Sequence, residues 1–556
     1  MQIQAIAFGV IGGLGLFLYG MRAMSDGLQS LAGDSLRRII GALTNNRVIA
    51  VMVGFLVTTI IQSSSVTTVM VVGFVNSGLM TLTQAIGVIL GANIGTTITG
   101  WIIAIKITKY ALPILGVGVG FYFFSRARSL KDFGHILFGI GMIFLGLQVM
   151  KSGLSDLKND PGFVQWFSHF DAATFSSLLG AIAVGCLLTM VVQSSSATLG
   201  ITIALASTGL INFQTSAALI LGENIGTTLT AQIASIGTNP NARRAARAHL
   251  LFNCFGVLVI VAIFRPYVNF IDWLIPFPAN FLTPEGNAPY ITVHIAATHS
   301  LFNVINVLLF LPFIQYLARF VTWMVPGQEE QVLLPHHLEA LDDRLLESPA
   351  IAIEQARQEI LKMGEIVVKI LLSIKDLFKD LKPNNGLWEE IFKKEKITDE
   401  IQKEVTIFLS KVMEANLTLE QSFEVRSLIR VADEIESVAD YCESLAKYHR
   451  RCLTDKIKFS NQAIGEIAKM ENLIDDYYQK SLKAFESGNR DYLNQAKVNG
   501  QGINDYADSV REAHLNRLNK KECSPMASLI FSDIMVAFRR IKNHTFNIAE
   551  AAAGIK

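Results

Sequence analysis

The chain has 556 residues, 51% of them hydrophobic, and a formal net charge of +1. That near balance excludes a nucleic-acid binder held by bulk positive charge. The five cysteines (Cys186, Cys254, Cys442, Cys452, Cys523) show no CxxC spacing, which excludes a disulfide scaffold or a thiolate metal site and leaves membrane packing residues and reduced cytosolic thiols.

The balance hides two unlike parts. Residues 1–326 hold 16 Lys/Arg and 9 Asp/Glu, a net of +7; residues 327–556 hold 32 and 38, a net of −6. A membrane crossing needs about 20 apolar residues. In chain order, full spans are expected near 4–22, 84–105, 110–124, 134–150, 216–236, 249–265 and 293–320. The first run is followed by Met21-Arg22-Ala23-Met24 rather than a small-residue cleavage site, so it reads as a membrane helix and not a signal peptide. Val48–Ile61 with Val66–Gly78, and Leu178–Val192 with Ala197–Gly209, are shorter pieces, each pair divided by a polar tetrad. Such pairs predict re-entrant hairpins whose breaks lie at membrane depth, where irregular backbone survives only inside protein or against a cavity.

The tetrads are identical: Gln62-Ser63-Ser64-Ser65 and Gln193-Ser194-Ser195-Ser196. Each is followed by Asn-Ile-Gly-Thr-Thr, at Asn93–Thr97 and Asn224–Thr228. From 62 to 193 and from 93 to 224 the offset is the same, 131 residues, and 16 of the 38 positions from 62 to 99 are repeated without a gap. A fainter echo sets Gly20, Met24, Gly27 and Leu28 against Gly146, Met150, Gly153 and Leu154. The expected fold is therefore all-α: a polytopic membrane domain over 1–326, with two repeats (about 4–124 and 134–265) and an extra span at 293–320, followed by a soluble helical bundle over 336–556.

Charge orients the chain. Arg37, Arg38 and Arg47, then Arg126, Arg128 and Lys131, then Arg243, Arg244 and Arg247 lie in alternate loops, and 266–292 has no Lys or Arg. Placing basic loops in the cytoplasm sets the amino terminus outside and the acidic tail inside the plasma (inner) membrane. Lys106, Lys109, Lys151 and Lys158 then fall outside. Each repeat has three spans, an odd number, so the second is inverted and the two hairpin tips are expected to meet near the midplane.

Each tetrad precedes an apolar helix, expected to start at Val66 and Ala197. Serine caps helix amino termini, and first-turn N–H groups lack partners. Two such termini facing one point make an anion site. No Lys or Arg lies in the expected membrane core, so a divalent oxyanion would need added positive charge. Gln, Ser, Asn and Thr oxygens suit a small hard cation such as sodium. Glu223 replaces Ala92 of the first copy; a carboxylate at that depth is a candidate cation ligand or proton-sensitive group. The competing reading of Ser/Thr-rich helices is interhelical hydrogen bonding, and duplication in register argues against it. His249 with Asn253, and His299 with Asn303, repeat an H-x-L-F-N run and read as helix-packing pairs. No Walker A or Rossmann pattern occurs, so neither ATP drive nor redox chemistry is indicated.

The doubled QSSS with Gly91–Thr97 and Gly222–Thr228 resembles the type II sodium–phosphate cotransporter family over roughly 1–320. The resemblance implies inorganic phosphate as substrate and Na+ as coupling ion, in the lipid bilayer. It implies phosphate held by Ser63, Ser64, Ser65, Ser194, Ser195 and Ser196, and sodium held by Gln62, Asn93, Thr96, Thr97, Gln193, Glu223, Asn224, Thr227 and Thr228. That family often has a small neutral residue where this chain has Glu223. The residues alone say "oxyanion with a hard cation".

In the tail, Ile353, Ala356, Ile360, Met363, Val367, Ile370 and Ile374 form an apolar seam, and no proline occurs from 384 to 524, which suits long bundle helices. The region resembles a PhoU-like bundle. Its motif matches Ile435–Asp440, and Glu436 and Asp440, at i and i+4, can share a divalent metal ion. The second copy of the motif departs, with Arg539 and Asn543 where acids are expected. By resemblance, this domain regulates transport or docks a phosphate-signalling partner.

The leading expectation is a sodium-coupled phosphate transporter and not an enzyme, since no nucleophile–base pair stands out. A membrane-anchored phosphate sensor and a phosphate exporter stay open beside it, as does a homo-oligomer.

Overall fold

The computed structural model describes residues 2–41, 46–76, 80–105, 108–155, 171–284, 286–327, 341, 346, 348–380, 385–415 and 417–554. Lys106, Lys158 and residues 328–330 lie outside them. The chain divides into two compact units, Met1–Gln331 and Val332–Lys556. Among the described residues the secondary structure is helical, without a strand.

The first unit contains α1 (Gln2–Gly41), α2 (Arg47–Ile61), α3 (Ser64–Asn76), α4 (Leu82–Ala104), α5 (Ala111–Phe124), α6 (Arg128–Ser155), α7 (Phe175–Val192), α8 (Ser195–Ser207), α9 (Phe213–Gly226), α10 (Thr228–Ala234), α11 (Pro240–Ala262), α12 (Phe264–Leu274), α13 (Ile291–Phe310) and α14 (Ile314–Met324). Among the described residues six stretches are long and apolar enough to cross a membrane: Ala7–Ala32, Leu82–Ala104, Arg128–Leu154, Phe175–Val192, Pro240–Ala262 and Ile291–Met324.

Four expectations change. The segment read as a full span at 110–124 is a helix of 14 residues, about 21 Å long against a hydrocarbon core of about 30 Å. The piece starting at Leu178 begins earlier and reaches 18 residues, because Thr174 caps it with a reciprocal Ser177 bond. The span at 216–236 divides at Thr227 into α9 and α10. The span at 293–320 stops at Phe310, where Pro312 lies in a 3-10 turn and cannot supply an N–H to continue the ladder.

Helix contacts run along glycine seams. A Cβ on Gly54 or Gly91 would overlap the Val88 or Val51 carbonyl, and one on Gly185 or Gly222 would overlap that of Leu219 or Ile182. Gly95 and Gly226 close on Thr58 and Thr189, with 2.7 Å from each added Cβ to the threonine Cβ. Glycine at these positions lets α2 run parallel to and against α4, and α7 against α9, at backbone distance. The two seams repeat at the 131-residue offset. A third seam joins α1 to α6 antiparallel: a Cβ added to Gly13 would lie 2.7 Å from Met150 N, and one on Gly20 2.6 Å from Ile143 N.

The second unit contains α15 (Pro349–Asp380), α16 (Asn385–Met413), α17 (Leu419–Thr454), α18 (Asn461–Ser487), α19 (Tyr492–Asn519) and α20 (Pro525–Ala552). The expected seam residues Ile353 to Ile374 on α15 are all buried. Its core also encloses Glu471, whose Oε1 lacks a hydrogen-bond partner. Burial pushes this carboxyl up to about 8; Lys375 pulls it down, and Asp475 and Asp376 add to the rise.

Two outcomes follow for stability. Gly222→Ala, like Gly91→Ala, should lower the melting temperature of the purified protein strongly, by an overpacking cost of about 1–3 kcal/mol or more. Gly116→Ala, where an added Cβ meets nothing within 4 Å, should leave it unchanged or raise it. The folded state holds a proton on Glu471 that the unfolded chain releases above about pH 4.3, so this group's contribution to stability falls as pH rises from there to about 8. Glu471→Gln should therefore stabilise the protein more at pH 8 than at pH 5, by a few kcal/mol at the alkaline end, read as a larger rise in melting temperature at pH 8.

Candidate functional site at the two hairpin tips

The tetrads sit where α2 gives way to α3 and α7 to α8. Gln62 and Gln193 adopt the left-handed region, φ 56° and 54°, and their N–H groups donate to Thr58 O and Thr189 O, each at 2.7 Å. Left-handed backbone costs a non-glycine residue about 1–2 kcal/mol, and strain held at matching positions in both copies points to a functional site. Thr58 Oγ1 donates to Thr67 Oγ1 at 3.0 Å, and Thr189 Oγ1 to Thr198 Oγ1 at 3.0 Å. All four threonines are buried, so each hydroxyl pair pins the two arms of its tip.

α3 and α8 begin at Ser64 and Ser195, two residues before the expected Val66 and Ala197. Ser63 Oγ and Ser194 Oγ are the reason: they accept the N–H groups of Val66 and Ala197, at 3.3 and 3.2 Å. Those two hydroxyl oxygens serve as caps. Ser64, Ser65, Ser195 and Ser196 then occupy first turns, whose leading N–H groups have no intrahelical partner. Ser64 Oγ is buried without a hydrogen bond.

Ser65 of the first tip lies with Gln193, Ser195, Thr227 and Thr230 of the second half on the wall of one small, partly open pocket, with room for about one water molecule. The two copies of QSSS thus contribute to one space. Gln62 is not on that wall: its Oε1 accepts from Thr99 Oγ1 at 3.0 Å and its Nε2 donates to Thr59 O at 2.6 Å.

The NIGTT residues are arranged alike in both copies. Asn93 and Asn224 donate from Nδ2 to Ile89 O and Ile220 O, both at 2.8 Å. Thr96 and Thr97 donate to Ala92 O and Ile94 O at 3.0 and 2.8 Å. Thr227 and Thr228 donate to Glu223 O and Ile225 O at 2.9 and 2.8 Å. Hydroxyls that give their one hydrogen to the backbone keep lone pairs free to accept or to ligate a hard cation. Glu223 is fully buried, and neither carboxylate oxygen has a hydrogen-bond partner. An ionised carboxylate there lacks compensation from the protein, so either a proton or a hard cation such as sodium is needed to neutralise it.

One contact was not legible as function. Asn303 Nδ2 donates to Asn224 Oδ1 at 3.2 Å, joining α13 to the second NIGTT run, while Asn303 Oδ1 is buried and unpartnered. The H-x-L-F-N repeat was its signal in the sequence.

In the second unit, Glu436 and Asp440 lie on α17. Burial raises the Glu436 carboxyl, with Asp440, Asp399 and Asp433 adding to it. Glu395 of α16 hydrogen-bonds Asp440 and is pushed up to about 7 by burial and its acidic neighbours. The expected divalent site finds no support: among the described residues no group of three or more His, Cys, Asp or Glu is placed to hold a metal ion. Near the second motif copy, Glu434 instead accepts from His544 Nδ1 at 2.7 Å and Asn547 Nδ2 at 2.9 Å, and Arg539 pairs with Asp508 at 3.1 Å.

Helices that cross a bilayer and a duplicated polar site between them define a multi-pass membrane transport protein. The Na+/Pi-cotransporter family model matches residues 16–152 and 164–282, and the PhoU domain model matches 360–448. A Salmonella typhimurium protein, YjbB, provisionally named an inorganic phosphate export protein, is 24% identical over 516 residues, covering 92% of this chain and 91% of that protein. The uncharacterized YqeW of Bacillus subtilis is 32% identical over 267 residues, 48% of this chain and 84% of that protein. The Rattus norvegicus sodium-dependent phosphate transport protein 2A is 38% identical over 100 residues, 17% of this chain and 15% of that protein. No solved structure matches. The chain belongs to the Na+/Pi-cotransporter family and carries a carboxy-terminal PhoU domain.

The hydroxyl pairs set a local expectation. Thr189→Val removes the hydroxyl that joins the two arms and should destabilise the protein by about 1 kcal/mol, read as a lower melting temperature, while Thr189→Ser should restore most of it.

Proposed function

We propose that the protein is a sodium-coupled secondary transporter of inorganic phosphate that works by alternating access. The observation that carries this reading is the single cavity lined by Ser65 and by Gln193, Ser195 and Thr227. In it, the first-turn amides and hydroxyls of Ser64, Ser65, Ser195 and Ser196 bind phosphate, with Ser63 and Ser194 holding the turns in shape. Sodium takes oxygens from Gln62, Asn93, Thr96, Thr97, Gln193, Glu223, Asn224, Thr227 and Thr228. The bound cation supplies the positive charge that two helix termini, each worth about half a unit, leave wanting. The protein moves phosphate without converting it.

We read α2–α3 and α7–α8 as re-entrant hairpins of two inverted repeats. α2 and α3, with 15 and 13 residues, are about 23 and 20 Å long, short of a crossing. α1 and α6, which carry the Gly-Met-Gly-Leu echo, pack antiparallel, as inversion requires. The basic loops favour an external amino terminus and a cytoplasmic PhoU domain. That domain regulates transport or docks a phosphate-signalling protein. Export is the second reading, and the breadth of the match to the Salmonella typhimurium protein favours it; direction follows the ion gradients.

In proteoliposomes at saturating sodium, Ser64→Ala or Ser195→Ala should raise the KM for phosphate about tenfold, the loss of a charge-assisted hydrogen bond, with the melting temperature kept. Wild-type KM in either variant would contradict the placement of the tips.

A further inference from the structure

The H-x-L-F-N run belongs to a second duplication. From 249 to 299 the offset is 50 residues, and nine of the 35 positions in 240–274 recur in 290–324, among them Phe270 with Phe320 and Trp273 with Trp323. The structure carries the repeat through. α12 follows α11 after a break at Ile263, and α14 follows α13 after the 3-10 turn at Leu311–Phe313. Both helices have 11 residues. α12 buries Phe264, Tyr267, Val268 and Ile271; α14 buries Ile314, Leu317 and Val321, the same register.

Their outward faces also match. Phe270 and Trp273 are 47% and 78% exposed; Phe320 and Trp323 are 48% and 76% exposed. The rings stand 5.8 Å apart at 32° in the first pair and 5.7 Å at 31° in the second. Exposed Arg265 and Asn269 share the outer side of α12, and Gln315 and Arg319 that of α14. Hydrocarbon alone does not accept such a mixture, and water does not favour the rings. The headgroup boundary accepts both.

The two helices lie at opposite ends of α11. Near the start of α11, Arg244 donates to Val325 O at 3.0 Å and Gly327 O at 2.8 Å, just beyond the end of α14. α12 begins past the other end of α11, 23 residues later, about 35 Å along a helix. That length matches one bilayer crossing. Continued straight, Ile291–Met324 with its 34 residues would reach about 51 Å, too long for one hydrocarbon core, so the turn at Pro312 is where the chain leaves the crossing direction.

We propose that α12 and α14 lie along the two opposite headgroup interfaces of the bilayer, each anchored to phospholipid by its Phe–Trp pair, and so fix the transport unit in depth from both sides. The occupant of each aromatic face is the glycerol and carbonyl region of phospholipid.

The test uses the full-length protein in phospholipid vesicles with brominated acyl chains. Subtracting the emission of Trp273→Phe or Trp323→Phe from that of the unaltered protein isolates each tryptophan. Bromine near the head end of the chain should quench both difference signals about twofold more than bromine near its tail. Stronger quenching from the tail end would mean that the helices continue the spans, and absence of quenching would mean that water or a second copy covers the faces; either overturns the proposal. Sidedness is read with Leu274→Cys and Met324→Cys, labelled by a membrane-impermeant maleimide and mapped by peptide mass. Each should react from one side only, and from opposite sides; reaction from the same side overturns the assignment.

Discussion

Backbone broken at membrane depth has to be enclosed by protein, because lipid offers it no hydrogen bonds. On the proposed re-entrant reading of the membrane unit, the glycine seams of α2 with α4 and of α7 with α9 meet that demand. Gly91 and Gly222 admit a neighbouring carbonyl where any side chain would collide. This approach holds each QSSS tip against its own NIGTT helix, and the buried threonine pair then closes the tip. The left-handed glutamine and the capped first turn sit at the tip so held.

The two copies share a frame but not their chemistry. Ala92 and Glu223 occupy one position of the repeat, and only the second brings charge. Gln62 is bound to Thr99 and Thr59 within its own half, whereas Gln193 faces the shared cavity with Ser195. The frame is symmetric, while the lining is not: the buried carboxylate and the pocket-facing glutamine both belong to the second copy. The second NIGTT run also has a link to α13 through Asn303.

The sequence made the duplication legible because its polar residues recur at one spacing inside apolar runs, where chance rarely places them. The helix starts were misplaced by two residues because serine serves equally as a cap and as a first-turn residue, and only geometry tells which. The break at Thr227 was not legible because the run carries no proline and its polar residues read as a site within one span. α14 was hidden because its residues to 320 read as a continuation of the 293–320 span until Pro312 is seen to interrupt it, and α12 because it lies almost wholly beyond the expected 249–265 span. In the PhoU domain, Glu436 and Asp440 fell on one face as their spacing requires, but spacing carries no information about whether a third ligand comes near.

The measurement closest to the central claim is radiolabelled phosphate uptake into proteoliposomes, with and without an inward sodium gradient, for the full chain and for Gln193→Ala. Uptake that requires the gradient and is lost in the variant is the result this account predicts. Phosphate movement by the purified protein that is indifferent to sodium, or unaffected by Gln193→Ala, would contradict it.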